Sequence, residues 1–209
     1  MNDNVGKIVG INGNLITVRF EKPVTQSEVG YARTGSIALK SEVIRIRGEN
    51  AELQVFEDTT GLKVGDPVEF SGNLLAVELG PGLLAQVYDG LQNPLPKLAE
   101  QCGFFLQRGT YLKALDRGTK WAYTPKARKG DEVTAGDTLG TVPEGIFQHR
   151  IMVPFRLAGK WKVEETLAAG SYNVDQVVAK LRGERGDAVS VTMVQEWPVK
   201  VPIKAYAER

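Results

Sequence analysis

The sequence contains a single histidine, His149, and a single cysteine, Cys102, two residue types that often perform catalysis. His149 lies in a strand-like run, where a histidine acts as a general base if a nucleophile is close. No nucleophile motif accompanies it, so the sequence favours a structural hydrogen bond. Cys102 is interpreted as a small buried hydrophobe, because no lysine or histidine lies within five residues on its C-terminal side to activate a thiol. Neither residue is assigned a catalytic role.

Phosphate-binding and acid/base patterns are also missing from the sequence. A G-x-x-x-x-G-K-[ST] loop is absent, since the Gly-Lys pairs at Gly6 and Gly159 lack the following hydroxyl residue. Gly80-Pro81-Gly82 is interpreted chiefly as a backbone turn. The neighbouring carboxylates Glu57-Asp58 and Glu164-Glu165 tend to point apart and make poor acid/base dyads. No catalytic, cofactor-binding or metal-binding residue is therefore predicted.

A basic stretch between residues 113 and 129 permits two interpretations. The stretch contains one acid, Asp116, and six cations: Lys113, Arg117, Lys120, Lys126, Arg128 and Lys129. Two aromatic residues, Trp121 and Tyr123, are interleaved with the cations. Such a pattern fits a surface that binds a single nucleic-acid strand by stacking. A solvated β face beside two core aromatics is favoured, because the formal net charge of the whole chain is only +1.

Composition limits the class of protein. The 209 residues are 42% hydrophobic and 24% charged, as in soluble globular proteins, and the length suggests two domains. One cysteine and one histidine exclude a Cys/His structural zinc site and a disulfide framework, which fits a reducing cytosol. No run of 18 apolar residues and no secretory signal pattern is present. We expect a soluble, untargeted chain.

Short β-branched runs separated by glycine turns predict a mainly β fold. Hairpins are predicted around Asn12-Gly13-Asn14 and Gly48-Glu49-Asn50, and residues 1–70 are interpreted as a small closed barrel. Val64-Gly65-Asp66 is echoed at Lys129-Gly130-Asp131 and Ala135-Gly136-Asp137, each as a turn before a strand.

The region after the barrel predicts a strand, a glycine turn and a helix. Residues 74–79 are expected to form the strand, and the helical spacing of Leu83, Leu84, Val87 and Leu91 predicts a helix that ends before Asn93-Pro94. A second short helix is expected over 174–181 and a strand over 187–194.

The run from Leu79 to Leu95, LGPGLLAQVYDGLQNPL, resembles the hallmark that follows the N-terminal barrel in the catalytic A (alpha) subunit of V-type and A-type rotary ATPases. Further similarity lies at Gly6–Gly10, Gly61–Val68, Val163–Tyr172 and Gln195–Val199. The resemblance covers nearly the whole chain. It implies that the phosphate loop and catalytic glutamate of the family lie beyond the stretch matching Arg209. The tail from Val199 to Arg209 has no cap or closing turn and is itself interpreted as cut within a domain.

The resemblance implies four segments. Residues 1–70 would be the N-terminal barrel, 71–110 the first segment of an α/β nucleotide-binding domain, 111–190 a β-rich, barrel-sandwich-like insertion (the bulge or non-homologous region), and 191–209 a return to the nucleotide-binding domain. Segment 71–110 would lack most of its partners, so it is expected to dock on the insertion, to swap with another copy or to be poorly ordered.

For the full-length subunit the resemblance implies an ion-translocating ATP synthase or hydrolase that uses ATP or ADP with Mg and transports protons or sodium ions. It implies B subunits in an alternating A3B3 ring, peripheral stalk subunits bound through the insertion, a central stalk, and a location on the cytoplasmic face of the membrane without direct membrane insertion. No nucleic-acid partner is expected, and the chain by itself is predicted to be inactive and to need no cofactor.

Two other classes remain as alternatives. Residues 129–140 resemble half of a lipoyl or biotinyl carrier, but the following segment, 142–147, offers no lysine for attachment. A barrel-type RNA-binding protein would use the cations between Lys113 and Lys129, and its binding would weaken steeply with salt.

Overall fold

The computed structural model describes residues 4–103 and 105–203, which form two compact units. The first unit comprises the chain up to Ala76 together with Lys97–Tyr111, and the second comprises Val77–Pro96 and the chain from Leu112 onward. The predicted return segment 191–209 therefore lies partly outside the described residues.

The first unit contains a closed barrel of six antiparallel strands, in the order β1-β2-β5-β4-β3-β6. The strands are β1 (Val5–Asn12), β2 (Leu15–Arg19), β3 (Glu28–Thr34), β4 (Ile37–Arg47), β5 (Asn50–Val55) and β6 (Pro67–Leu74). Both predicted hairpins are confirmed, and Gly13 and Gly48 supply the positive φ angles of 61° and 57° that these tight turns require. The predicted mainly β fold with a closed N-terminal barrel is therefore confirmed, and the barrel has six strands.

The barrel encloses an apolar core. Its buried side chains alternate along the strands with outward-facing residues, as the pleat of a strand requires, and they comprise Ile8, Ile16, Val18, Ala32, Leu39, Val43, Ala51, Leu53, Val55, Leu62, Val68 and Phe70. Gly6 faces the interior as well, where a Cβ atom would lie 2.6 Å from Val18 Cγ1 and 2.7 Å from the Arg19 carbonyl oxygen. Only glycine fits at that point of β1.

The second unit consists of two four-stranded sheets and a strand pair. The strands are β7 (Ala76–Leu79), β8 (Trp121–Pro125), β9 (Glu132–Val133), β10 (Thr138–Glu144), β11 (Phe147–Met152), β12 (Trp161–Thr166), β13 (Gly170–Tyr172), β14 (Ala179–Gly183), β15 (Ala188–Val191) and β16 (Gln195–Pro198). The sheets have the orders β11-β10-β8-β13 and β15-β14-β12-β9, and β16 pairs with β7. Two apolar clusters fill this unit, one around Leu139, Trp161 and Leu181 and one around Leu115, Tyr123 and Val142.

The three echoed Gly-Asp turns share one geometry. The side chains of Asp66, Asp131 and Asp137 each accept a hydrogen bond from the amide three residues earlier, over 2.7–2.8 Å. The glycine amide before each aspartate donates to the carbonyl of Ile8, Val163 or Val153, and the aspartate carbonyl accepts from the amide of that same residue. The turn chemistry predicted from the sequence is thus confirmed in both units.

The helix predicted around Leu83, Leu84, Val87 and Leu91 is wrong. This segment consists of turns, and helix α1 (Leu95–Cys102) begins only after it, with Pro96 in its first turn. Ala85 and Gln92 have positive φ angles of 59° and 65°, which an α-helix does not allow. Side-chain carboxylates also accept hydrogen bonds from backbone amides of this segment, which in a helix would donate to carbonyls of the helix itself.

The short helix predicted over 174–181 is also wrong. Residues 174–176 turn, and β14 begins at Ala179. The Val178 amide donates to the Val191 carbonyl over 2.8 Å, and the Met193 amide donates to the Val174 carbonyl. The β-branched pair Val177-Val178 favours extended backbone over helix. The strand predicted over 187–194 is present as β15, and the one over 74–79 is present in part as β7.

Candidate functional site

The most specific sequence motif, Gly80-Pro81-Gly82, opens a loop in the second unit that runs to Pro94. The loop, called here the 80–94 loop, packs closely at its start, because a Cβ atom on Gly80 would lie 2.8 Å from both Leu115 Cδ1 and the Met193 carbonyl oxygen. Gly82 has a φ of 105°, a conformation that other residues rarely adopt. The start of the loop therefore packs against Leu115 and Met193 of the second unit.

Glu144, at the end of β10, anchors the beginning of the 80–94 loop. Its side chain is 7% exposed, and Oε1 accepts hydrogen bonds from the Gly82 amide (2.6 Å) and the Leu84 amide (3.3 Å). Oε2 lies 2.7 Å from Nδ1 of His149. The Gly82 amide of the Gly-Pro-Gly turn and the Leu84 amide after it are therefore already bound by a carboxylate of the protein, and His149 has the structural hydrogen bond that the sequence favours.

Glu78, in β7, forms a second anchor with Arg117. The guanidinium donates two hydrogen bonds to the carboxylate, over 2.7 and 2.6 Å, and the Leu115 amide donates a third over 3.2 Å. Burial raises the pKa of Glu78, but the hydrogen bonds from Arg117 and Leu115 outweigh it, so the pKa lies below that of an ordinary glutamate. Arg117 Nε also lies 3.3 Å from Asp175, so this cation is bound to acids on both sides.

Asp89 and Gln92 shape the end of the 80–94 loop. Asp89 Oδ1 accepts from the amides of Leu91 and Asn93, over 2.9 and 2.8 Å. The Gln92 amide group bonds both backbone groups of Glu78 over 2.7 and 2.8 Å, as a neighbouring strand would. Carboxylate and amide side chains thus replace the internal bonds of the predicted helix.

In the first unit, Glu57 holds the returning segment. It accepts hydrogen bonds from the Gly109 amide and, over 2.7 Å, from the Tyr111 hydroxyl, while Arg108 donates to the carbonyls of Asp58 and Thr60. Burial, followed by the hydrogen bond to Glu57, raises the pKa of Tyr111 well above its ordinary value. Glu57 and Asp58 therefore bind backbone and a tyrosine of their own chain.

The remaining sequence candidates are dispersed. Glu164 pairs with Arg182 and Glu165 with Lys180, so the two neighbouring acids serve different partners. Cys102 was predicted to be buried, and this is wrong: it is a free, partly exposed thiol at the last residue of α1, whose buried residue is Leu98. Among the described residues, no group of three His, Cys, Asp or Glu side chains is placed to hold a metal ion.

The aromatics of the basic stretch are not available for stacking on bases. Tyr123 is 1% exposed and lies in an apolar cluster, with Trp121 packed against it. The single-strand binding interpretation of Lys113–Lys129 is thus disfavoured, as is the carrier alternative, since the β10–β11 hairpin tip at Gly145 carries no lysine.

Sequence reasoning missed Glu144 and Glu78 as anchors. One signal was available for Glu144, because it follows Val142 by two residues and therefore shares the inward face of β10. An acid on an inward face needs donors, and the nearby Gly-Pro-Gly turn supplies them.

Large apolar side chains face outward on two barrel strands. Val5 and Val9 on β1 are 48% and 40% exposed, and Ile44 and Ile46 on β4 are 37% and 36% exposed. β1 and β4 are three strands apart in the six-stranded closed order, so these patches lie on opposite sides of the barrel.

Within the described residues, no helix combines the length and the hydropathy needed to cross a membrane.

Two family models match the two folded regions. Residues 8–72 match the β-barrel domain of the ATP synthase alpha/beta family, and residues 112–200 match the alpha/beta subunit barrel-sandwich domain.

Curated relatives match across the chain. It is 60% identical to a V-type ATP synthase alpha chain of Treponema denticola and 52% identical to alpha chain 1 of Treponema pallidum, over 100% of this chain and 36% of each relative. An alpha chain of Borrelia garinii subsp. bavariensis is 52% identical over 98% of this chain and 36% of its own length. The chain thus spans little more than a third of the relatives, at their N-terminal end. It belongs to the ATP synthase alpha/beta family and corresponds to the N-terminal region of a V-type ATP synthase alpha chain.

Proposed function

We propose that this chain supplies the assembly surfaces of a rotary ATPase catalytic subunit whose full-length form synthesises or hydrolyses ATP while protons or sodium ions cross a membrane. The observation that carries the proposal is the 52–60% identity to V-type ATP synthase alpha chains over the entire chain. In the full-length subunit ATP or ADP and Mg bind outside these 209 residues, and the chain alone does not hydrolyse ATP.

The two apolar patches of the barrel support a role in ring cohesion. A subunit of a closed ring contacts one neighbour on each side, so it needs two different surfaces on opposite flanks. Val5 and Val9 on β1, and Ile44 and Ile46 on β4, provide such a pair of surfaces. We assign these two surfaces to contacts with the B subunits on either side, in an alternating A3B3 ring on the cytoplasmic face of the membrane.

Segments 71–110 and 191–209 are assigned to the nucleotide-binding domain of the full-length subunit, and the insertion is assigned to contacts with the peripheral stalk. Support for the first assignment comes from the 80–94 loop, which carries exposed Leu84 and Val87 instead of a polar surface. Support for the second is the barrel-sandwich match over 112–200, a folded module with its own apolar clusters.

Ring assembly tests the proposal directly. The full-length subunit is co-expressed with its B-type partner, with Val9→Asp and Ile44→Asp separately introduced, and native mass and ATP hydrolysis are measured. Each variant is expected to reduce the hexamer fraction and the ATPase rate about tenfold, because a buried charge at a central interface position is strongly unfavourable.

Gln54→Asp is the matched control, because it adds the same charge at an exposed position of β5. Circular dichroism of the 209-residue variants verifies that the barrel still folds. A full-length wild-type subunit that neither binds a partner nor hydrolyses ATP would overturn the proposal.

A further inference from the structure

We infer that the 80–94 loop and the tip of the β10–β11 hairpin form one preorganised docking face, and that the part of the full-length subunit outside these 209 residues covers it. The inference rests on the proposed function, since it requires the longer subunit. The β10–β11 hairpin of the insertion would then contact another part of its own subunit.

Four large apolar side chains make up the face. Leu84 and Val87 belong to the loop and are 51% and 61% exposed, and Ile146 and Phe147 at the hairpin tip are 93% and 58% exposed. Soluble chains rarely leave a group of large apolar side chains in water unless another surface covers it.

Hydrogen bonds and strand register bring the loop and the tip together. The Leu84 amide lies 3.3 Å from Glu144 Oε1, and Phe147 is paired with Glu144 across the β10–β11 ladder. Phe147 lies on the same face of β11 as His149, which contacts the other oxygen of Glu144. One buried carboxylate therefore fixes the loop and the tip side by side.

The face is rigid before it is covered. Glu144 and Asp89 bind four loop amides between them. Gly145, with a φ of 59°, forms the tight turn of the hairpin together with Ile146. Ordering a flexible loop during binding costs conformational entropy and weakens the contact. A loop that is already anchored avoids this cost, which favours docking.

The other four-stranded sheet of this unit has a different surface. Its cations pair with acids of neighbouring elements, as in Lys160–Glu132, Lys180–Glu165 and Arg182–Glu164. Ion pairs of this kind are compatible with water, so that sheet does not share the apolar character of the loop and the hairpin tip.

A covering surface is available within the full-length subunit itself. In the curated relatives most of the chain lies outside the matched 36%, so a large covering segment is available within the same subunit. Labelling at different chain concentrations separates this occupant from a second copy of the chain.

Cysteine labelling tests the inference. In a Cys102→Ser background, Ile146→Cys and Leu84→Cys are made both in the 209-residue chain and in the full-length subunit, and labelling rates with a maleimide are compared. We expect both cysteines to react about tenfold more slowly in the isolated full-length subunit than in the 209-residue chain. Ser190→Cys, exposed on β15, is the control and should react at the same rate in both.

Equal rates in the two forms would overturn the inference while leaving ring assembly and ATP hydrolysis, and hence the proposed function, intact. Protection only after the B-type partner is added would also overturn it, because the occupant would then be another subunit. Protection in the 209-residue chain that rises with its concentration would identify a second copy as the occupant and would likewise overturn it. A full-length subunit without partner binding or ATPase activity refutes the proposed function instead.

Discussion

The barrel of the first unit and the 80–94 loop of the second unit are held by different interactions. In the barrel every strand pairs with two others and twelve buried apolar residues fill the interior. In the loop, the carboxylates of Glu144 and Asp89 bind backbone amides, and beside the loop the Glu78 carboxylate binds the Arg117 guanidinium. The stability of the barrel should therefore fall most when a buried apolar side chain is shortened. The stability of the loop should fall most when a carboxylate is removed.

The largest expected effect is that of Leu53→Ala in the barrel. Leu53 is fully buried, and truncating a leucine in a core costs about 2–5 kcal/mol of unfolding free energy, because a cavity remains. Urea unfolding followed by circular dichroism measures the loss. The exposed Val5→Ala serves as the control with little effect, and a Leu53→Ala protein as stable as wild type would contradict the assignment of this core.

An intermediate effect is expected for Glu144→Ala in the second unit. It leaves His149 and the amides of Gly82 and Leu84 without their acceptor, at a cost of about 2–3 kcal/mol. Trp121, Trp161 and Trp197 all lie in this unit, so tryptophan fluorescence during unfolding measures the change. Amide exchange at Gly82 and Leu84 should accelerate as well.

Glu144→Gln is the matched variant for this test, because its side-chain oxygen still accepts hydrogen bonds, and its loss should be smaller. Added formate should partly restore the slow exchange in Glu144→Ala by occupying the vacated site. Unchanged exchange at both amides in Glu144→Ala would show that the carboxylate does not hold the loop.

The smallest of the three effects is expected for Arg117→Met, at about 1–2 kcal/mol near neutral pH, because the ion pair is partly exposed to solvent. The pKa of Glu78 is lowered in the folded chain, so its contribution is present above the ordinary glutamate pKa of about 4.3 and is lost as the pH falls through the folded value. The stability difference between wild type and Arg117→Met should therefore shrink on acidification below that range. A difference that stays constant down to pH of about 3 would exclude this pair as its source.

Sequence patterns predicted the parts of the fold that local chemistry determines. Hairpins at Gly13 and Gly48 followed from glycine turns between β-branched runs, and the three Gly-Asp turns recur with the same bonds. The barrel could be inferred because alternation and turn residues are local signals.

The helix predicted over Leu83–Leu91 failed because its competitors are distant in the sequence. Glu144 lies 62 residues from Gly82 in the sequence. The residues of the loop therefore contain no pattern that predicts the binding of the loop amides to this carboxylate. Helical spacing of Leu83, Leu84 and Val87 is real, but Leu83 packs into the second unit while Leu84 and Val87 remain exposed. Periodicity alone cannot distinguish a helix from an anchored loop with the same spacing.

The division of the first unit into two stretches of chain has a consequence for synthesis on the ribosome. All six barrel strands are complete by Leu74, whereas Arg108, Gly109 and Tyr111, which Glu57 and its neighbours bind, emerge more than thirty residues later. Because domains form as their residues leave the ribosome, the barrel closes first and Glu57 remains hydrated until the returning segment arrives. A chain released between Ala76 and Lys97 would thus carry a closed barrel that lacks this last contact.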